Sequence, residues 1–322
     1  MPRKRRNRRD PTGGANSDGT FLLACSGTVV DHVGSQTWIL TSATLVRKPG
    51  SQYEAYDSGN IKIKVVLHDT QTVEGSLEVV NLHYNLAIVT IKSPTDLPAL
   101  ELSDLPVVDY MGPMSVVALG RGACSTILMK CGKLIRENSE LDCNELLVCT
   151  CDVNENFIGG PVMDLGKRFL GITYLYKATM PFLPVGMAAR CLKSFKSKTL
   201  LPRLLISGQA VHMLDLPVLE RLCCKYAVIP SGILVDRTSL HHFGGIDVGD
   251  IILELDGVPL CSVAQFSVLL LDKWEAEKST QNTVTLQASV KRPPDITFVA
   301  ELNVGGIFSE EFGKLFQNRL AL

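Results

Sequence analysis

Between residues 21 and 192 the chain never carries an apolar run far before a turn signal interrupts it, and this punctuation limits the folds open to it. Residues 21–30 are broken at Gly27, and Gly34-Ser35 separates them from 37–41. Residues 61–67 alternate polar and apolar, 75–80 follow a turn, and 86–91 are almost wholly apolar. Further short runs fall at 115–119, 133–135, 146–149, 161–163, 169–174 and near 185–187. Many short strands with turns between them predict an all-β sandwich or a pair of barrels with only minor helices. A helix is expected over 188–195, where Leu192 and Phe195 lie three apart and bases gather at the end.

The composition shifts at the basic stretch 196–201, which ends at Pro202, and a domain boundary is placed there. Beyond it the spacing predicts a helix over 218–223 and a strand over 231–235. A Gly-rich turn then precedes a strand at 251–255, and Asp256-Gly257 follows as a hairpin signal. A helix is expected over 263–274 and strands over 283–290 and 298–302. The expected organisation is a basic disordered tail (1–20), a first β unit (21–196), a second unit (202–303) and an extension (304–322).

Hydrophobic residues make up 46% of the 322 and charged residues 20%, the balance of an ordered chain. The net charge of -1 is uneven: Arg3, Lys4, Arg5, Arg6, Arg8 and Arg9 face only Asp10. The remainder is mildly acidic, which argues against nucleic acid as a partner. The basic start reads as a solvated tail, a nuclear-targeting or anionic-surface patch, or an organelle presequence. No apolar segment follows it as in a secretory signal, and no run reaches the roughly 20 residues of a membrane span. An intracellular setting, nucleus or cytoplasm, is therefore expected. The ten cysteines read as buried thiols, because Cys149-x-Cys151 and Cys223-Cys224 lack the second ligand pair of a zinc site. No metal and no cofactor is expected.

Three short motifs carry the chemistry. Residues 39–44 read Ile-Leu-Thr-Ser-Ala-Thr, residues 83–89 read His-Tyr-Asn-Leu-Ala-Ile-Val, and residues 156–161 read Asn-Phe-Ile-Gly-Gly-Pro. In the second unit, 232–235 read Gly-Ile-Leu-Val and 249–257 read Gly-Asp-Ile-Ile-Leu-Glu-Leu-Asp-Gly. Over residues 21 to about 300 the chain resembles the HtrA, or Do-like, serine proteases, and the wording of the second unit resembles their plant members. The resemblance implies a trypsin-like double β-barrel followed by a PDZ-like domain. The first barrel is expected to be incomplete, because little strand material precedes Phe21.

In that family a histidine, an aspartate and a serine form the triad, and here Thr44, Asn85 and Ile158 occupy the matching positions. A threonine hydroxyl cannot take a proton near neutral pH, an amide supplies no charge, and isoleucine has no nucleophilic atom. Asn156 and Phe157 replace the glycine and asparagine of the oxyanion loop, and Phe157 and Ile158 projecting into its centre are expected to leave the old cleft either as filled core or as a narrower, more apolar groove that binds peptides without cutting. No substitute constellation stands out: Ser42, His83, Cys149 and Cys151 are closest in sequence and read as packing or surface residues. The expected function is that of a noncatalytic pseudoprotease that binds proteins or peptide C-termini, alone or in oligomers with Do-like relatives. The alternatives are an active serine endopeptidase and a degenerate copy with little function. In the PDZ-like unit the resemblance points to Arg203, Leu204, Leu205 and Ile206 as the peptide-binding loop, where Leu205 replaces a glycine. Asp250 is read as a turn cap.

Overall fold

The computed structural model describes residues 13–16, 21–51, 54–92, 97–102, 114–122, 126–177, 179–199, 201–202, 206–238, 243–277 and 283–305. The first unit opens with seven strands: β1 (Gly13–Asn16), β2 (Phe21–Leu23), β3 (Gly27–Val33), β4 (Gln36–Ser42), β5 (Ile61–Val66), β6 (Thr72–Asn81) and β7 (Leu86–Ile91). They pair antiparallel in the order β2-β1-β5-β6-β7-β4-β3, a path that strand pairing does not close. Strand β7 lies inside this sheet and all six of its residues are buried, which explains its unbroken apolar run. Strand β5 alternates buried and exposed positions at its start, as its sequence does.

One expectation is corrected here. Gly13–Asn16 falls within the expected disordered tail 1–20, yet it pairs with β5 through Gly13↔Lys64 to Asn16↔Ile61. Its Gly-Gly-Ala-Asn text carries no apolar alternation, so the pairing rests on the unpaired backbone of β5 and leaves no signal in side-chain chemistry.

The chain then closes a barrel from β8 (Ser115–Arg121), β9 (Ile127–Ile135), β10 (Leu147–Cys149), β11 (Pro161–Asp164), β12 (Phe169–Thr173) and β13 (Met180–Pro184). Helix α1 (Val185–Ser197) follows directly, starting earlier than expected because Pro184 stands at its N-cap and fixes the turn. Lys198 ends it in a left-handed conformation.

The second unit contains β14 (Ile206–Ala210), α2 (Leu216–Cys223), β15 (Ile233–Thr238), β16 (Ile251–Leu255), β17 (Val258–Pro259), α3 (Val263–Glu277), β18 (Thr283–Arg292) and β19 (Ile296–Gly305). Its sheet runs β14-β15-β16-β18-β19, with β17 hairpinned on β16 and β14 at one edge. Helix α3 serves two cores. Phe266 and Leu270 pack into the sheet of the second unit, whereas Val268 and Leu271 join a cluster with Leu141, Leu146, Cys191 and Phe195 of the first. Asp250 caps its turn, accepting from the Asp247 N–H at 2.8 Å, and Arg292 grips both of its oxygens.

Candidate functional site

The three motifs meet at the seam between sheet and barrel. Thr44 sits in a single 3-10 turn (Ala43–Leu45) at the end of β4, with Ser42 as its cap. Asn85 stands at the entrance of β7 with a left-handed backbone, φ 52°, a conformation asparagine tolerates better than most residues. The Asn85 carbonyl accepts from the Ala43 N–H at 2.9 Å, which fastens the two turns together. Gly159 brings the third motif against them: a Cβ there would lie 2.6 Å from Thr41 Oγ1 and 2.8 Å from the Ser42 nitrogen, and its φ is +78°. The Gly159-Gly160-Pro161 text thus has a packing role that does not depend on catalysis.

The polar groups at this seam are occupied with one another. Asn85 is fully buried, and its Nδ2 donates to Ser42 Oγ and to Thr44 Oγ1, both at 2.9 Å. Its Oδ1 accepts from Arg47 at 3.0 Å. Ser42 Oγ also donates to Thr44 Oγ1 at 2.8 Å, and Arg47 reaches the Leu82 carbonyl at 3.2 Å. Burial pulls the Arg47 guanidinium below its ordinary value, with the Tyr174 hydroxyl acting in the opposite direction. Two hydroxyls, an amide and a buried guanidinium offer no proton acceptor of imidazole strength.

The oxyanion loop is folded inward. Residues Glu155–Phe157 form a 3-10 turn capped by Asn154. An oxyanion hole needs backbone N–H groups aimed at open space. Here the Asn156 N–H donates to Asn154 Oδ1 at 3.1 Å and the Ile158 N–H donates to the Glu155 carbonyl at 3.2 Å. The carbonyls are tied as well. Ser26 donates to Asn156 O at 2.6 Å and Thr173 Oγ1 donates to the carbonyls of Phe157 and Gly160.

Phe157 and Ile158 are packed as core, in keeping with the filled-core alternative for the old cleft. Phe157 is 1% exposed and lies in the barrel core with Val116, Val162 and Phe182. Ile158 is 7% exposed and packs on the sheet side with Cys25, Leu45, Val46 and Val89. Consecutive side chains are claimed by the two flanking cores, which is possible because the turn between them points each to its own side. Beside this seam lies a largely apolar cavity of about 610 Å³, walled by Ser26, Ile39, Leu45, Ile63, Val89 and Leu119 among others. Cys25 also lines it, but burial raises its thiol to about 12 despite the backbone hydrogen bond at Leu45, so it is no thiolate at neutral pH.

The substitutes considered from sequence fall elsewhere. Cys149 and Cys151 are buried in the barrel core, and His83 stacks edge-on against Tyr84. Among the described residues no group of three His, Cys, Asp or Glu side chains could hold a metal. No helix of the described residues is long and apolar enough to cross a membrane. Of the loop expected to bind peptide, Arg203, Leu204 and Leu205 lie outside the described residues. Ile206 opens β14 with its side chain buried in the second-unit core, so only its backbone faces outward chemistry. Ser26, Arg47 and Thr173, which fasten the seam, carried no motif that would single them out.

A seven-stranded sheet and a closed six-stranded barrel that meet at Thr44, Asn85 and Ile158 place the chain in the trypsin-like fold class. Residues 25–172 match the trypsin-like peptidase domain. The chain is 25% identical over 278 residues to the Putative protease Do-like 14 of Arabidopsis thaliana, covering 81% of this chain and 63% of the relative. It is 24% identical over 293 residues to Serine protease HTRA3 of Mus musculus, covering 85% of this chain and 59% of the relative. It thus spans less than two thirds of the length of either. The solved HtrA-type protease AlgW with decapeptide aligns over 89% of this chain and 83% of its own, with a TM-score of 0.52 and 17% identity, a likeness of fold. Over residues 25–172 the chain carries a trypsin-like peptidase domain, and along most of its length it is similar to HtrA, or Do-like, proteins.

Proposed function

We propose that this chain is a member of the HtrA, or Do-like, family that binds protein segments without cutting them. The observation that carries the reading is the loop at 154–158, where the N–H groups of Asn156 and Ile158 are spent inside their own turn. A tetrahedral intermediate would find neither donor, and oxyanion stabilisation is commonly worth a factor of about 10²–10³ per donor. The absence of a base at Thr44 and of a nucleophile at Ile158 compounds this. Binding falls to the second unit, read here as PDZ-like: an antiparallel sheet with β14 at its edge and α3 packed beside it offers a place for an extended peptide to add as a further strand. The AlgW structure, similar in fold, was solved with a decapeptide, which is in keeping with peptide binding.

The test is hydrolysis of unfolded casein and of a fluorogenic peptide pool by the purified chain, with a fluorophosphonate label run in parallel. No turnover and no label are expected. Turnover that follows the protein through purification, or a covalent label at any serine, would overturn the reading in favour of a serine endopeptidase.

A further inference from the structure

The cavity beside the seam goes with the unclosed sheet of the first unit. Strand pairing leaves β2 and β3 as the two ends of the path β2-β1-β5-β6-β7-β4-β3. Residues 27–29 of β3 wall the cavity on one flank and residues 63–66 of β5 on the other, joined by Ile39 of β4 and Val89 of β7, which lie between those strands in the sheet. A small closed barrel fills its interior with side chains or holds one small ligand. This unclosed one keeps about 610 Å³ of space, within the roughly 300–1,000 Å³ of small-molecule sites. Thr44, Asn85 and Ile158 do not line it, so it is distinct from the old triad positions.

The buried hydroxyls in its wall are already engaged. Thr41 Oγ1 donates to the Ser26 carbonyl at 2.6 Å, while Ser26 Oγ donates to the Asn156 carbonyl at 2.6 Å and accepts from the Arg121 N–H at 2.9 Å. A ligand body placed there meets mainly aliphatic side chains and leaves its own polar groups without partners, which favours hydrocarbon. The charge, by contrast, is one-sided. The lining described includes Lys64, His68 and Arg121 and no Asp or Glu. Lys64 and His68 are exposed, and their side chains make no hydrogen bond or ion pair among the described residues. Glu74, opposite Lys64 in the pairing of β5 with β6, does not line the cavity. We infer that this cavity is a binding site for a single-chain fatty carboxylate, its tail between β3 and β5 and its carboxylate at Lys64 and His68. Tail burial supplies most of the affinity, roughly fourfold for each methylene. The exposed cations add a smaller share and fix which end of the ligand faces water. An occupant that fills the gap in the sheet also stabilises the first unit by mass action.

The test is calorimetric titration of the delipidated full-length chain with dodecanoate in reducing buffer, beside decanoate and dodecan-1-ol. One site per chain is expected, with decanoate bound roughly tenfold more weakly for its two missing methylenes. Lys64→Glu/His68→Glu changes two exposed positions. It is expected to weaken dodecanoate by about fivefold or more and to leave dodecan-1-ol within about twofold. Val65→Trp, at a half-buried wall position, occupies the cavity and is expected to abolish binding of both ligands. No saturable dodecanoate binding by the natural chain, adsorption at many sites, or unchanged binding by a folded Val65→Trp chain overturns the inference. A Lys64→Glu/His68→Glu chain that binds both ligands as the natural chain does overturns it as well. If Val65→Trp does not fold, hydrogen exchange of the natural chain with saturating dodecanoate decides. Slower exchange at 27–29 and 63–66 with 206–210 unchanged supports the site, whereas protection confined to the second unit, or none, refutes it. None of these outcomes depends on whether the chain cuts peptides.

Discussion

Asn85 shows how completely a buried polar group at this seam is engaged by its neighbours. Its amide uses both donors and its acceptor inside the protein, with Arg47 as the charged partner. Removing it takes one partner from the buried Arg47 guanidinium and one from each of two hydroxyls, so Asn85→Ala is expected to lower unfolding stability by about 2–3 kcal/mol in urea melts. Asn85→Asp keeps the Arg47 contact and lets both hydroxyls turn to donate, and is expected to stay within about 1 kcal/mol. The residue identities at Thr44, Asn85 and Ile158 were legible from the motifs, because each change deletes a required atom. Arg47 was not, since nothing in a lone arginine between Val46 and Lys48 tells that it folds back under Asn85. Cys25 gives a second test at this scale. Burial raises its thiol from 9.0 to about 12, so the folded state holds the proton more tightly than the unfolded chain. The protection is complete below pH 9, and the thiol costs stability as pH rises from there toward 12. At pH 8 iodoacetamide should label the exposed Cys131, Cys223 and Cys224 and spare Cys25, as read by peptide mass spectrometry. Labelling of Cys25 at the rate of Cys131 would contradict this.

At the scale of elements, the turn at 154–158 and the Gly-Gly-Pro after it act as one unit. The sequence showed that the loop exists and that its catalytic letters are changed. It could not show which core claims each side chain, because that depends on which sheet lies to each side. The same limit hid β1, whose four residues pair by backbone alone. Two outcomes follow from the packing. Gly159→Ala combines a left-handed backbone with a Cβ 2.5 Å from the Ser26 carbonyl, and is expected to cost about 3 kcal/mol or to prevent folding. Ile158→Ser removes an aliphatic side chain from the cluster around Leu45 and Val46 and buries a hydroxyl, at a cost of about 2–4 kcal/mol. For that reason the combined Thr44→His/Asn85→Asp/Ile158→Ser chain is expected to remain without peptidase activity, since both loop N–H groups stay occupied. Casein turnover by that variant would mean the loop opens more readily than its hydrogen bonds suggest.

At the scale of the whole molecule, the break in composition at 196–202 marks where the chain passes between units, yet the cores do not stop there. Helix α3 was legible as a helix, but its apolar residues exceed one stripe, and periodicity alone cannot say that the second stripe belongs to another unit. Val268 and Leu271 complete the cluster around Leu192 and Phe195 of α1, and Arg190 holds Asp272 through two bonds of 2.9 and 2.8 Å. The Arg237–Asp142 fork ties the far end of the same contact. A pair of units sharing a buried cluster should unfold together, so calorimetry of the natural chain is expected to give one transition whose calorimetric and van't Hoff enthalpies agree. Leu271→Asp places a charge in the shared cluster while leaving Phe266 and Leu270 to the second unit's own sheet. It is expected to split the melt into two transitions, the second unit retaining its own midpoint. A single shifted transition would mean instead that the second unit cannot stand without the first. Two transitions in the natural chain would show that the shared cluster does not couple the unfolding of the two units.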